Sequence, residues 1–424
     1  MSEPRAIPWK KLTLMMAVAL ALRLTVIFFL FGGDDPGRFD AIKRVEPYRV
    51  AQAVADGRGF SSPFAVDTGP TAFLAPAYPL VAGSVFKLFP GSTAAGTMAV
   101  LALNSLGSSL ACLTVFFLGL RLFEQETALA TAWCWAFCPY AVYFSTTQFW
   151  DTDWTPLLIT SLLLLTLRLA EAPSALRWAA FGALWAVTGL TTSALLVVLP
   201  VTGLWAAWQL RRARKDWIAG AILAAAVFAL AVSPWMMRNA RRFDAFIPFR
   251  SNLPLELSVG NSVETEARWR GWRHPNENRG ELHQYVRLGE SAYMAGKQRE
   301  FGRFLAEHPG AFAWLTLKRA AYMWTGVWDL RPRYLWALPL EAINIFPATA
   351  LTLFGFAGLR LLFRENAPAG WLLLLVLLFL PAMYYVTHVN IRYRHPLDPL
   401  LLLLGTHTVA RYGRAPLRGL PPGY

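Results

Sequence analysis

The chain has 424 residues, of which 55% are apolar, 14% aromatic and only 16% charged, and its formal charge is +14. Long runs with almost no charge recur, so the composition excludes an ordinary soluble globular protein and predicts a polytopic membrane protein. The basic excess then belongs to membrane-facing loops rather than to nucleic-acid binding, for which no reader motif is present.

The first apolar run, near 12–32, follows MSEPRAIPWKK and resembles a signal-anchor without a small-residue cleavage site, so it is read as the first span. Its one charge, Arg23, lies either near the outer membrane half or beside a buried acid. Residues 34–79 are the first long polar interruption, and the chain is organised around them. Asp40 and Glu46 stand here among Arg38, Lys43, Arg44 and Arg49, before a GRGFSSP turn and a Pro-Ala-Tyr-Pro that contains Tyr78. Pro47 suits a first helical turn, and Tyr48, Ala51, Val54 and Ala55 repeat at helical spacing. The pattern predicts a short helix lying on the membrane surface, with carboxylates near its start.

About ten spans follow from a requirement of ~20 apolar residues. They lie near 12–32, 95–121, 127–146, 154–170, 177–190, 194–210, 217–237, 339–360, 369–387 and 397–411. Basic residues in short loops set the orientation. Arg5, Lys10, Lys11, Arg121, Arg168, Arg177, the cluster Arg211, Arg212, Arg214 and Lys215, then Arg360, Arg364, Arg411, Arg414 and Arg418 fall on one side, predicted cytoplasmic together with both termini. The chain divides accordingly into a membrane core over 1–237 with its first outer loop at 33–94, an extracytoplasmic region over 238–338, and C-terminal spans over 339–424. Cys112, Cys134 and Cys138 all fall inside apolar runs and read as small buried residues rather than a disulfide framework.

Five polar segments converge on the outer side: the first loop, QFWDTDW at 148–154, TTS at 191–193, the 238–338 region, and VNIRYRHP at 389–396. Ionisable groups at a membrane boundary are costly unless used or paired. Asp151 and Asp153 fit either a Trp-flanked interfacial anchor or a site that orients an acceptor hydroxyl or binds a metal. Arg392 and Arg394 run against the positive-inside trend and fit either head-group snorkelling or a phosphate clamp built from guanidinium forks. His388 and His395 are lone histidines, weak candidates as metal ligands. In 238–338, RWRGWRHPNENRGEL is too polar to fold on a core of its own. Its alternation of Arg268, Trp269, Arg270, Trp272 and Arg273 suits stacking on a sugar or a place at the lipid interface.

The order of these features resembles a known family. It runs from an Arg in the first span to Glu46-x-Tyr48, Gly-Arg-Gly-Phe at 57–60 and Pro-Ala-Tyr-Pro at 76–79. Trp150-Asp151, Ser-Pro-Trp-x-x-Arg-Asn at 233–239 and Tyr-Arg-His-Pro-Leu-x-Pro at 393–399 complete it. The whole is similar to the membrane glycosyltransferases of the C fold (GT-C), closest to the family 39-like enzymes that include protein O-mannosyltransferases and the lipid A aminoarabinose transferase. The resemblance implies an all-α bundle with extracytoplasmic loops and amphipathic juxtamembrane helices. It also implies inverting transfer of a sugar from a polyprenyl-phosphate donor to a lipid, glycan or protein acceptor outside the cytoplasmic membrane. An acid of the first loop would be the general base: Glu46, with Asp40 as the alternative, because the family's usual Asp-Glu pair is Val45-Glu46 here. Asp151 matches the second acidic position, with Asp153 beside it. Phe73-Leu74-Ala75-Pro76 stands where relatives often carry a phosphate-binding Lys, so phosphate binding falls to Arg394, Arg392 or Arg238. Tyr393, His395 and Tyr78 complete the candidate substrate-binding set. No cofactor is required by this chemistry, and nothing beyond the acidic pair supports a divalent cation. Two other classes fit less well: a non-catalytic subunit of cell-envelope polysaccharide assembly, which the degenerate base motif keeps open, and a secondary transporter, for which neither an internal repeat nor a mid-membrane carboxylate is seen.

Overall fold

The computed structural model describes residues 6–33, 36–269, 271–329, 331–332 and 342–413. Arg5, Arg270, Arg414, Arg418 and the start of the 339–360 span therefore lie outside the described residues. Helix α1 (Trp9–Phe31) leads through α2 (Asp40–Lys43) to α3 (Glu46–Ala55) and α4 (Ala77–Lys87). The membrane part continues with α5 (Thr93–Leu122), α6 (Gln125–Ala136), α7 (Pro139–Thr147), α8 (Trp154–Glu171), α9 (Ala175–Thr191), α10 (Leu199–Arg212) and α11 (Ile218–Phe243). The long polar region holds α12 (Leu253–Gly260), α13 (Arg279–Leu288), α14 (Glu290–Glu307) and α15 (Pro309–Thr325). The chain then adds α16 (Ile345–Glu365), α17 (Ala367–Phe379), α18 (Ala382–Val386), the single turn α19 (Ile391–Arg394) and α20 (Asp398–Gly413). Among the described residues the β pairings are two isolated bridges, Ser61 with Pro70 and Arg268 with Val389.

The architecture is the all-α membrane bundle expected, although the ten apolar runs do not all become full spans. Among the described residues seven helices are long and apolar enough to cross a membrane, which makes this an integral membrane protein. The run at 127–146 breaks into α6 and α7 because Cys138, just before Pro139, leaves the helical region at φ −59° and ψ 118°. Helices α9 and α20 have 17 and 16 residues, about 25 Å at 1.5 Å per residue, at the short end of what spans a bilayer.

Lipid gives apolar helices little reason to associate, so close approach depends on small residues. A Cβ at Gly182 would collide with the Ala224 carbonyl of α11, and one at Gly358 with the Leu404 carbonyl of α20. The largest core joins Leu162, Trp185, Ala206, Leu362, Leu373 and Leu404 from six different helices.

The first loop and the long polar region do not fold separately. Val50, Phe60 and Phe73 share one core with Leu255, Tyr285 and Met294. Buried Glu290 fastens the two together. Its carboxylate accepts from the Thr71 hydroxyl (2.5 Å), the Ala72 amide (2.9 Å), Ser251 (2.6 Å) and Tyr285 (2.6 Å). Arg238 grips the same loop from α11, donating to the carbonyls of Thr71 (2.6 Å) and Phe60 (2.8 Å). Trp269, His274 and Leu282 of the polar stretch thus pack on the first loop, which supplies the core the stretch lacks.

Candidate active site

A cavity of about 600 Å³ opens where the five polar segments meet. The first loop contributes Glu46. Trp150 and Asp151 come from the approach to α8, Thr192 and Ser193 from the end of α9, and Arg250, Glu256 and His274 from the long polar region. His388, Arg392 and Tyr393 close the far wall. The convergence predicted from hydropathy alone is therefore a physical enclosure.

Glu46 owes its place to local sequence. Val45 is extended (φ −78°, ψ 149°) and Pro47 sits in the first turn, so α3 starts with the Glu46 carboxylate at its N-terminal end. The buried face of α3 anchors it, with the Tyr48 ring edge-on to Phe86 (5.2 Å) and Phe149 (5.1 Å). Glu46 is only 5% exposed. Burial pushes its pKa up to about 7, against the opposing pull of its own backbone amide and of Arg392. Its nearest basic neighbour is His274, Nδ1 3.8 Å away. That nitrogen accepts from the Asn276 amide at 3.1 Å, and burial drops the ring's pKa to about 3. His274 is consequently neutral near pH 7, and among the described residues Glu46 has no cation in contact. A carboxylate in this state is suited to take a proton.

The cationic wall is built from stacked rings. Arg392 lies over Trp150 at 4.1 Å and beside Tyr393 at 5.2 Å, and Tyr393 stacks on Tyr384 at 4.2 Å with 7° between the planes. The Tyr393 hydroxyl is 2.8 Å from His388 Nε2, and His388 Nδ1 is 3.8 Å from Glu256. Burial lowers the pKa of Arg392, but Tyr393, Asp151 and Glu46 outweigh it and the net direction is up. Arg250 donates to Asn252 at 2.6 Å, and Asn252 to Glu256 at 2.8 Å. Two guanidiniums thus share the cavity with Glu46, Asp151 and Glu256.

The other predicted residues are placed elsewhere. Asp40 does not reach the cavity: its side chain is 59% exposed beside Lys43 at 3.9 Å. Arg394 does not line the cavity either. It is buried, bonded to Asp398 (2.9 Å) and to the carbonyls of Trp324 (2.9 Å) and Ala348 (3.0 Å). His395 is buried between Trp135 and Phe144, its Nδ1 3.9 Å from Asp398, with neither ring nitrogen hydrogen-bonded among the described residues. Tyr78 accepts from Asn104 at 3.0 Å, inside the junction between first loop and α5. Arg238 is taken up by the carbonyls described above. Asp153 is fully buried, near Arg23 but not in direct contact with it. That resolves the open choice for Arg23, whose guanidinium also donates to the Ala19 and Ala136 carbonyls at 3.0 and 2.9 Å.

Sequence reading missed Arg250, Glu256 and His274. Glu256 carried a usable signal, a lone acid in the otherwise apolar stretch LPLELSVG. Arg250 and His274 carried none, being one of many arginines and a histidine in a polar stretch. Among the described residues no group of three His, Cys, Asp or Glu side chains is placed to hold a metal ion.

No protein-family model and no curated protein sequence matches the chain. Solved structures do. The Archaeoglobus fulgidus oligosaccharyltransferase in complex with zinc and sulfate superposes with a TM-score of 0.54 at 16% identity, covering 95% of this chain and 49% of its own. The archaeal oligosaccharyltransferase AglB from the same organism, bound to an inhibitory peptide and a dolichol-phosphate, gives 0.52 at 14% identity, covering 97% and 52%. ArnT from Cupriavidus metallidurans, bound to undecaprenyl phosphate, gives 0.43 at 15% identity, covering 98% and 82%. The chain spans about half the length of the oligosaccharyltransferase it matches. The shared feature is the fold, that of the GT-C membrane glycosyltransferases, as the motif order predicts.

Proposed function

We propose that this protein is a membrane glycosyltransferase that moves a sugar from a polyprenyl-phosphate donor to an acceptor hydroxyl on the extracytoplasmic face of the cytoplasmic membrane. The observation that carries the reading is Glu46: a buried carboxylate at a helix start, half-ionised near neutrality, in one cavity with Arg392 and Arg250. The GT-C fold supports it, as does the apolar stretch Leu195–Val197 on the cavity wall, which suits a lipid chain entering from the membrane.

The step is a single displacement. Glu46 takes the acceptor's proton as the acceptor oxygen forms its bond to the anomeric carbon. The bond from that carbon to the donor phosphate breaks, and the polyprenyl phosphate leaves with the electron pair. Attack opposite the leaving group inverts the anomeric centre. Arg392 faces the phosphate with a guanidinium held over the Trp150 ring and beside Tyr393, so its N–H fork is positioned before the ligand arrives. Arg250 stands second, and Asp151 and Glu256 orient sugar and acceptor hydroxyls.

Purified protein incubated with labelled polyprenyl-phosphate sugars and a membrane-extract acceptor pool tests the reading. Labelled product that disappears with Glu46→Gln is the expected result. Wild-type protein that transfers label from no donor would overturn it and favour the envelope-assembly subunit.

A further inference from the structure

The end of the bundle remote from the cavity carries a second built feature. Asp151 lines the cavity at one end of α8; Arg168 stands at the other, about 25 Å along the axis. There Arg168 joins Arg121 from the last turn of α5 and Arg177 from the first turn of α9 around a hollow of about 440 Å³. Arg121 pairs with Glu171 and Arg177 donates to the Ala172 carbonyl. Arg168 has no hydrogen-bonded partner among the described residues. It feels both other arginines as like charges, against the single carboxylate of Glu171. Lys215 adds a fourth cation, donating to the Glu171 carbonyl at 2.5 Å.

Three arginines around one carboxylate repel one another unless an anion joins them. The remaining walls are apolar, from Leu165, Leu176 and Ala180, and Leu176 at the rim is 79% exposed. Convergent guanidiniums beside an exposed leucine, at the ends of membrane-spanning helices, match a molecule with a phosphate head and a hydrocarbon tail. We propose that this hollow binds the phosphodiester headgroup of an anionic phospholipid, with one acyl chain along Leu165, Leu176 and Ala180. None of its residues lines the cavity, so the site stands apart from the transfer reaction.

Native mass spectrometry of the full-length protein in detergent, titrated with equal phosphatidylglycerol and phosphatidylcholine, reads the site directly. Wild type is expected to retain phosphatidylglycerol in preference. Arg168→Gln should lower that retention about fivefold, the effect of one basic residue at a lipid surface, and leave phosphatidylcholine unchanged. Arg168→Lys should fall between. Arg211→Gln, outside the hollow at the same end of the bundle, should match wild type. If Arg168→Gln does not fold, Arg177→Gln carries the same expectation. Equal retention of the two lipids by wild type, or an equal loss in Arg211→Gln, would overturn the proposal. Displacement of the lipid by millimolar inorganic phosphate would do the same, assigning the hollow to a soluble anion.

Discussion

Arg392 and Arg394, two residues apart on one helical turn, face opposite environments. Arg392 lies 4.1 Å over Trp150 in the cavity wall, whereas Arg394 bonds Asp398 at 2.9 Å and ties α19 to the end of α15 through the Trp324 carbonyl. Their substitution should separate binding from stability. Arg392→Gln is expected to raise the donor KM at least tenfold with little change in melting temperature, and Arg392→Lys to recover only part of the loss, since a point charge replaces a planar fork. Arg394→Gln should instead leave a buried carboxylate without its partner and cost about 3 kcal/mol in stability. Thermal melts and donor titrations on the two variants distinguish the roles; reversed phenotypes would return the phosphate role to Arg394.

Glu46→Gln keeps the shape but removes the proton acceptor, so turnover should fall by about 10²–10⁴-fold with donor affinity little changed. Asp40→Asn, on the exposed surface, should leave turnover near wild type. Single-turnover rates with both variants decide between the two acids.

With the Glu46 pKa at about 7, kcat/KM should rise with pH below 7 and level off above it. Arg392 lowers that pKa, so Arg392→Gln should move the rising limb to higher pH. A limb that stays fixed would mean that another group controls the rate.

The same burial has a consequence for stability. A carboxyl whose folded pKa lies above its unfolded value contributes stability that is full below the unfolded value, near 4.5, and is lost as pH rises through about 7. The loss amounts to about 3 kcal/mol. Glu46→Gln should therefore melt higher than wild type at pH 8 and nearly the same at pH 4.5. A lower melting temperature at pH 8 would show that ionised Glu46 supports the fold.

Glu290→Ala should unhook the first loop from the long polar region. Four donors lose their shared acceptor, at a cost of about 3 kcal/mol or more. Limited proteolysis should cut at the Gly57–Gly59 turn before the rest of the chain melts; an unchanged pattern would mean that the shared apolar core suffices.

How much of this was written in the sequence follows from which forces are local. Hydropathy depends on residues within one span, so the apolar runs, and the five polar segments that meet at the cavity, could be read directly. The start of α3 was equally local: Pro47 after an extended Val45 puts Glu46 in a first turn whatever surrounds it. The break at Cys138–Pro139 was as local, and was passed over because hydropathy continues through it.

Facing is a different matter. Residues two apart on a helix lie about 200° around its axis, so Arg392 and Arg394 diverge once the turn Ile391–Arg394 forms, but neither that turn nor which of the two meets the cavity was legible in the sequence. That was decided by Trp150, from a segment more than two hundred residues earlier, offering a ring to one arginine, and by Asp398 with the Trp324 and Ala348 carbonyls closing around the other. Tyr78 was held inward in the same way, by Asn104. Arg250, Glu256 and His274 reached the site only because the first loop lends its apolar side chains to a region too polar to build a core from its own.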